Sequence, residues 1–484
     1  MNHSTTGAHL EEAASNGTHC DATRSIAEQI AEFAAQFRYD GIPEAVRERA
    51  KYLLLDAIGI AFASSSFDFA RRAHAALASD HGHAGFPVIG MPGRMELRDA
   101  VLVNSMLVHG LDYDDTYFAG GIHPTASCFP AALGVAAETR ADGRRLLASY
   151  VLGIEVATRL AAVAQGVLNQ VGLHPSSLIG AFASAVVSGW LMNLDARRLA
   201  MAQGLALGTA AGTLESLQDG SWTKRIQPGW AAASGITAAR LAKQGFIGAA
   251  RPYEGRFGLF ASHLGSRESE CDYPAGTAGL GGSWELLRVA LKPHPACHAT
   301  QAAIEAAIEI ASESGLTPED VRSVTAIVPP QYVKLTCEPI ERKRRPDSIY
   351  GAQFSLPYTV ACAFARRRFG LAELDESALT DPRILALARK VGYQVDSGFT
   401  SAEFKTNRPA ELVVLTTDGR TLSHRVRVLR GGLDRPLAPD EVIAKFMENA
   451  TIVMSRSRAA QIRDQVLAVD ALSDASAFSA MLAG

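Results

Sequence analysis

The sequence predicts a mainly α protein, with a large all-helical domain and a smaller α+β domain inserted into it. Alanine-rich apolar segments at helical spacing fill the first two-thirds of the chain, and alanine both favours helices and lets them pack closely. Strand-like segments occur only after a Gly-rich stretch that begins near residue 276, and helical spacing returns from Pro439. We therefore predict a helical domain of residues 21–275 plus 432–484 and an α+β domain of residues 276–431.

The helical domain is predicted segment by segment from the spacing of its apolar residues. Ile26, Ile30 and Phe33 mark a first helix, and Pro43 begins a second, since proline suits the first turn of a helix. The apolar run from Leu178 to Leu194 approaches the length that spans a membrane, but glycine and serine interrupt it, so we predict a buried core helix. Further helices are predicted at about residues 129–139, 147–164, 177–194, 197–213 and 229–243.

The α+β domain is predicted from a change in period. Val324, Ala326 and Val328 alternate with polar residues and are followed by two prolines that end the strand. Residues 412–417 and 421–429 flank Asp-Gly, which is typical of a tight β-hairpin turn. Helices are predicted between these strands, at about residues 298–313 and 353–366, and again from Pro439 to the end.

Composition excludes several classes of protein. The 484 residues are 48% apolar and 20% charged, which is typical of a soluble globular chain. A net charge of −3 gives no reason to expect a nucleic-acid partner, and we expect no membrane association. The six cysteines are far apart and form no CxxC, which disfavours disulfides, zinc and iron–sulfur clusters and favours the cytoplasm. Residues 1–20 lack an apolar signal region and are predicted to be a disordered tail.

The segment LDYDDTYFAGGIHPTASCFP concentrates polar side chains just before an apolar helix. It contains Asp112, Asp114, Asp115, Thr116 and His123, and buried charges of this kind need partners. The acids could offer oxygen ligands to Mg²⁺ or Mn²⁺, but no second acidic cluster is evident, so we predict no metal. The chain also lacks GxSxG and the glycine motifs that bind nucleotide cofactors. The segment is therefore predicted to line an active site.

Four other segments place polar residues beside glycine or proline. They contain His174, the pair Lys224-Arg225, the string from Lys292 to His298, and Arg344-Arg345-Pro346-Asp347 with Tyr358 nearby. Because three of them carry lysine or arginine, we predict an anionic substrate.

Structural interpretations of the same residues stay open at this point. The acids before Thr116 could cap a helix, and His174 could stabilise a turn. Lys224 and Arg225 could be a solvated pair, and Tyr358 lies in an apolar run that favours core packing.

Taken together, the motifs resemble the MmgE/PrpD family. The matching strings are HGLDYDDT with HPTAS, GLHPSSLIGAF, TKRIQPGWAAASG, LKPHPACHATQAAIEA and AQFSLPYTVACA, and RERAKYLLLDAIGIAFA resembles the N-terminal helix. Their order and spacing hold from about residue 24 to residue 470.

The resemblance implies an enzyme that moves protons at a carbon next to carboxylates, as 2-methylcitrate dehydratase, cis-aconitate decarboxylase and iminodisuccinate epimerase do. We expect a cofactor-independent lyase that dehydrates or decarboxylates a small tricarboxylate or dicarboxylate. The alternatives are an epimerase of a dicarboxylate such as iminodisuccinate, and a non-catalytic binding protein. The dehydratase branch tends to carry asparagine where this chain has Asp114, which favours another substrate.

The resemblance also implies where the site lies and which residues form it. It implies a cleft between the two domains, a homodimer, and neither metal nor organic cofactor. His123 is the expected general acid or base, oriented by Asp112, while Thr116 bonds the substrate and Tyr358 donates a proton or hydrogen bond. The residues expected to bind substrate carboxylates are His174, Lys224 and Lys292, followed by Arg225 and His298.

Overall fold

A computed structural model describes residues 24–78, 85–396, 398 and 408–484. The predicted disordered tail, residues 1–20, lies outside the described residues. Within the described part the chain is mainly α, as predicted, with a small mixed sheet late in the sequence.

The buried apolar side chains form two clusters, which we call the larger core and the smaller core. The larger core runs from Ile26 to Leu291 and resumes at Leu437, while the smaller core contains most buried apolar residues from Ala296 to Leu429. Along the chain, the buried apolar residues pass from the larger core to the smaller core between Leu291 and Ala296. The predicted domain boundaries stay a prediction.

The longer helices of the larger core are α1 (Ile26–Gln36), α2 (Glu44–Ser65), α3 (Asp68–Leu77), α4 (Leu97–His109), α5 (Thr125–Thr139), α6 (Gly143–Val163), α7 (Pro175–Leu191), α8 (Ala196–Ala206) and α9 (Thr223–Lys243). Those of the smaller core are α10 (His298–Ser314), α11 (Leu356–Arg366) and α12 (Pro382–Lys390), after which α13 (Pro439–Ala450) and α14 (Arg456–Leu467) return to the larger core. Short helices lie at Val167–Gln170, Ser216–Asp219, Leu259–Leu264, Pro330–Tyr332, Ile340–Arg344, Ile349–Gln353, Glu376–Thr380 and Ala475–Met481.

Local sequence explains where several of these helices begin. The Ser25 side chain accepts from the backbone N–H of Glu28, and the Glu28 carboxylate accepts from Ser25, which is a complete capping box at the start of α1. The segment predicted as one helix from residue 353 is divided, because Ser355 caps α11 and separates it from the turn that ends at Gln353.

The sheet has strand order β4–β3–β5–β6, with β3 (Val321–Val328), β4 (Val391–Val395), β5 (Ala410–Thr416) and β6 (Thr421–Val426). The predicted hairpin is confirmed as β5 and β6, although β6 ends three residues before the predicted Leu429. Strand β4 pairs parallel to β3 and was not predicted, because it is short, only partly buried and follows directly on an amphipathic helix. A two-stranded ribbon of β1 (Phe86–Pro87) and β2 (Arg94–Met95) was also not predicted.

The most apolar helices belong to the interior of the larger core. Among the described residues α6 is long and apolar enough to cross a membrane, but 94% of its most apolar stretch is buried inside the protein. Helices α2 and α3 would meet the same criterion together, but they meet at a bend of 86°. Nearly every residue of α7 is buried, as predicted for that run.

Candidate active site

A cluster of buried polar side chains lies where the two cores meet. Thr116 and Ala290 exchange two backbone hydrogen bonds of 2.9 Å each, which join the predicted acidic segment to the segment that carries Lys292. The N-terminal ends of helices α7, α9 and α10 bring three more side chains to this cluster, those of His174, Lys224 and His298. Residues that are more than a hundred positions apart thereby form one site.

Asp112 is the centre of the charged part of this cluster. Its Oδ1 lies 2.8 Å from Nζ of Lys224, and its Oδ2 lies 3.0 Å from Nζ of Lys292. Nζ of Lys292 also donates to the backbone carbonyl of Asp112 at 2.7 Å. Asp112 adopts a φ of 48°, a left-handed conformation that aspartate tolerates better than most residues. That conformation presents its side chain and its carbonyl to lysines from two separate segments.

The pairing keeps Asp112 and Lys224 charged. Burial by itself would raise the pKa of Asp112, but Lys224 and Lys292 outweigh burial and hold that pKa well below its usual value. Burial would likewise lower the pKa of Lys224, yet the facing Asp112 raises it.

His109 and Asp114 form a chain of hydrogen bonds that ends at Lys224. Nδ1 of His109 lies 2.7 Å from Oδ2 of Asp114, so its proton is on Nδ1 and its Nε2 accepts from Nζ of Lys224 at 3.2 Å. His109 therefore helps to orient the lysine.

The hydrogen bonds of His123 assign its tautomer. Nδ1 lies 2.6 Å from the backbone carbonyl of Asp115 and 3.1 Å from Oγ1 of Thr116. A carbonyl only accepts, so Nδ1 carries the proton and Nε2 holds a lone pair. Burial lowers the pKa of His123 well below its usual value, which makes the ring neutral at pH 7. The backbone N–H of His123 donates to Oγ of Ser176 at 2.9 Å and fixes the ring further.

Thr116 links His123 to His298, which has the opposite tautomer. Among the described residues the Thr116 hydroxyl has two partners, Nδ1 of His123 and Nδ1 of His298. Since Nδ1 of His123 carries a proton and cannot accept, the hydroxyl donates to Nδ1 of His298, 2.8 Å away. The proton of neutral His298 is then on Nε2, which is buried and has no hydrogen-bond partner in the described part of the chain. The cluster thus offers one ring nitrogen that accepts a proton and one that donates.

His174 resembles His123 in its protonation. Gln227 donates through Nε2 to the carbonyl of Thr213 at 2.9 Å, so its Oε1 accepts from Nδ1 of His174 at 2.8 Å. Burial lowers the pKa of His174 well below its usual value. In this state Nε2 of His174 can accept a hydrogen bond from a hydroxyl or a protonated carboxyl group.

The remaining basic candidate, Arg225, lies at the edge of the cluster. Its guanidinium is stacked between the rings of Phe69 and Tyr350, at 4.4 and 4.1 Å from their centroids, and its Nε donates to the carbonyl of Gly110 at 2.8 Å. Burial lowers the pKa of Arg225 to about 10.

The structure does not bring Tyr358 to this cluster, and it gives His123 other orienting groups than Asp112. Tyr358 is buried in the smaller core, and its charged neighbours are Asp375, Asp381 and Arg366. Its position in an apolar run was the signal for core packing. Asp112 does not orient His123 as predicted, because both of its carboxylate oxygens are engaged by the lysines.

Sequence reasoning missed three residues of the site. Tyr350 is the tyrosine whose charged neighbours are Lys224, Asp112 and Arg225. Gln353 donates from Nε2 to the carbonyls of Leu111 and of Pro295, which joins two site segments. His109 begins the HGLDYDDT string and could have been noticed there.

A metal ion fits the cluster less well than an organic anion. Ligand atoms of His109, Asp114 and His123 lie within 4.8 Å of one another, which is close enough for one ion. However, the ammonium group of Lys224 contacts His109 directly and would repel a divalent cation. Two ammonium groups beside neutral histidines favour binding of carboxylates and transfer of protons.

The fold and this site define a mainly α protein with a buried acid–base cluster that is suited to an anionic substrate. Comparison with known proteins agrees with that class. The MmgE/PrpD N-terminal domain matches residues 28–272, and the MmgE/PrpD C-terminal domain matches residues 294–471. The chain belongs to the MmgE/PrpD family.

The similar proteins include several decarboxylases. The chain is 26% identical over 479 residues to the cis-aconitate decarboxylase-like protein oryM of Aspergillus oryzae, covering 95% of this chain and 98% of that protein. It is 27% identical over 480 residues to a cis-aconitate decarboxylase of Aspergillus terreus, covering 94% and 95%. It is 25% identical over 485 residues to the cis-aconitate decarboxylase of Homo sapiens, covering 95% of each. These relatives and the family support a lyase-type enzyme.

Proposed function

We propose that this protein is a cofactor-independent lyase that decarboxylates a small unsaturated tricarboxylate such as cis-aconitate. The observation that carries the proposal is Asp112 held between Lys224 and Lys292 beside the neutral ring of His123. The full-length similarity to proteins named cis-aconitate decarboxylase supports the choice of substrate.

The two lysines bind the substrate carboxylates. Each ammonium has three N–H donors, and within the described residues each uses two. Lys224 donates to Asp112 and His109, and Lys292 donates twice to Asp112. Each lysine therefore has one donor left for an incoming carboxylate. Asp112 fixes both groups in advance, so little reorganisation is needed when the substrate binds.

His123 supplies the proton that the reaction requires. When one carboxylate leaves as CO₂, the electron pair of the broken C–C bond forms a new double bond. The old double bond opens, and its far carbon takes up a proton. A bound polyanion raises the pKa of His123, so Nε2 takes up a proton from solvent. His123 then donates this proton to the carbon. The Nε2–H of His298 can donate to a substrate oxygen that gains charge.

Proton NMR of the EDTA-treated protein in D₂O tests the proposal, with cis-aconitate, 2-methylcitrate, citrate and iminodisuccinate in separate tubes. We expect new vinyl signals with loss of cis-aconitate, and one deuterium in the product. Dehydration of 2-methylcitrate would contradict decarboxylation, and so would deuterium exchange without net loss of a substrate, which indicates an epimerase. The absence of any spectral change with all four acids would also contradict it. A His123→Ala sample controls for spontaneous decay.

We also propose a cytoplasmic homodimer. The support for a dimer is that Phe246, Ile247 and Phe257 expose 59%, 75% and 77% of their surface, and aromatic side chains are enriched at protein interfaces. Light scattering after size-exclusion chromatography would show twice the mass of one 51.4 kDa chain. A monomer at micromolar concentration would contradict this.

A further inference from the structure

Lys445 is a buried lysine of α13 that lies outside the cluster described above. Only 7% of its surface is exposed, and its Nζ lies 2.7 Å from Oδ1 of Asp56 on α2. The same ammonium donates to the backbone carbonyl of Tyr113 at 3.1 Å and to that of Lys292 at 2.9 Å. One side chain thus joins three segments that are distant in sequence.

The two carbonyls belong to the two segments that form the Asp112–Lys292 pair. Tyr113 directly follows Asp112, and the other carbonyl is that of Lys292 itself. Nζ of Lys445 also lies 3.6 Å from the centroid of the Tyr113 ring, whose hydroxyl donates to the carbonyl of Pro293 at 3.1 Å. Lys445 and Tyr113 therefore connect these two segments through contacts that do not involve Lys224.

Stability alone does not require a lysine at this position. Removing two charges from water is costly, and a buried ion pair can often be replaced by uncharged groups of similar size without loss of stability. Nζ of Lys445 lies within 3.1 Å of three oxygens, one from the Asp56 carboxylate and two from carbonyls of the site segments. The specific consequence of Lys445 is thus the relative position of Asp112 and Lys292.

We propose that Lys445 is a positioning residue that sets the geometry of the Asp112–Lys292 pair and so links α13 to catalysis. It does not touch the substrate. Displacement of a catalytic group by about 1 Å can cost about 10²-fold in rate, which is the size of effect expected here. The catalytic part of this inference depends on the proposed function, and the position of the two segments can be measured without turnover.

The test compares three variants with the wild type. Lys445→Met removes the ammonium but leaves Asp56 buried without its counter-ion, which is destabilising. The double variant Asp56→Asn/Lys445→Met removes both charges. Lys51→Met is the matched control, since Lys51 is also 7% exposed and pairs with Glu48 and Asp470, which lie outside the site.

We expect the urea midpoint to fall in Lys445→Met and to recover in the double variant. In both variants kcat/KM should stay about 10²-fold low, mainly through a higher KM, because the displaced Lys292 binds a substrate carboxylate. Lys51→Met keeps the wild-type kcat/KM. A purely structural role predicts that kcat/KM recovers together with stability. Recovery of kcat/KM in the double variant would therefore overturn the inference, and so would a double variant that does not fold.

Hydrogen–deuterium exchange separates failure of this inference from failure of the proposed function. Amides of residues 110–118 and 289–297 should exchange faster in the double variant than in the wild type or in Lys51→Met. That result would uphold the positioning of these segments even if the wild type turned over no acid in the NMR experiment. Unchanged exchange in both segments would overturn it.

Discussion

The two sides of the site both lie largely inside the protein but differ in charge. On the lysine side, Asp112 and Lys224 face each other, and their pKa values move in the directions that keep both groups charged. On the histidine side, burial lowers the pKa of His123, His174 and His298, which keeps the rings neutral. Oppositely charged partners outweigh burial on the lysine side, whereas burial outweighs the charged neighbours on the histidine side.

This difference divides the chemistry between the two sides. The two ammonium groups beside Asp112 attract substrate carboxylates. Neutral imidazoles with assigned tautomers can take up or release a proton at the reacting carbon. Changes on each side should therefore affect different kinetic constants.

The largest effect is expected on the histidine side. His123→Ala should lower kcat by about 10²–10⁴-fold, because the proton donor is lost while the carboxylate-binding lysines remain. Steady-state kinetics with the acid identified by NMR would measure the change. His263→Ala is the control, since within the described residues the hydrogen bonds of His263 go to Ser262 and Leu259 of its own helix. If kcat falls less than tenfold in a variant with an unchanged fold, His123 is not the proton donor.

A smaller effect is expected on the lysine side. Lys224→Met removes one of the two cations and should weaken substrate binding by about 2 kcal/mol, or about 30-fold in KM. Its kcat should change less than its KM, in contrast to His123→Ala. Circular dichroism confirms that the variant is folded. A Lys224→Met variant with a lowered kcat and a wild-type KM would contradict the assignment of carboxylate binding to the lysine side.

The pH profile distinguishes a proton donor from a proton acceptor at His123. Because burial lowers its pKa, the free protein holds the ring neutral at pH 7, and a donor must first take up a proton. For decarboxylation we expect kcat/KM to rise as pH falls from 8 to 6.5, by up to about tenfold per unit. An acceptor role predicts a flat profile in this range and a decrease only at lower pH.

The smallest effect is expected at Tyr358, which lies in the smaller core. Tyr358→Phe should leave kcat within about threefold of the wild type, since its hydroxyl has no hydrogen-bond partner among the described residues. Tyr350→Phe should lower activity more, because it removes a hydroxyl whose charged neighbours are Lys224, Asp112 and Arg225. The two variants would be compared in one assay. A larger loss of activity in Tyr358→Phe than in Tyr350→Phe would show that Tyr358 belongs to the site.

The sequence alone determined much of this protein, because helical period, capping residues and hairpin turns are local. The mainly α class, the helices α6, α7 and α9, the β5–β6 hairpin and the family were all predicted correctly. The polar segments that meet at the site were also found by sequence, since charged residues beside proline and glycine are conspicuous in a chain this rich in alanine.

Only the tertiary structure decided which of these residues meet. Asp112 contacts Lys224 and Lys292, which lie 112 and 180 residues away, and no local pattern encodes such pairs. The same holds for the choice of Tyr350 over Tyr358, for the opposite tautomers on either side of Thr116, and for Lys445, which is 332 residues from Tyr113. Protonation follows from the partners that each buried group finds, and those partners exist only when the chain is folded.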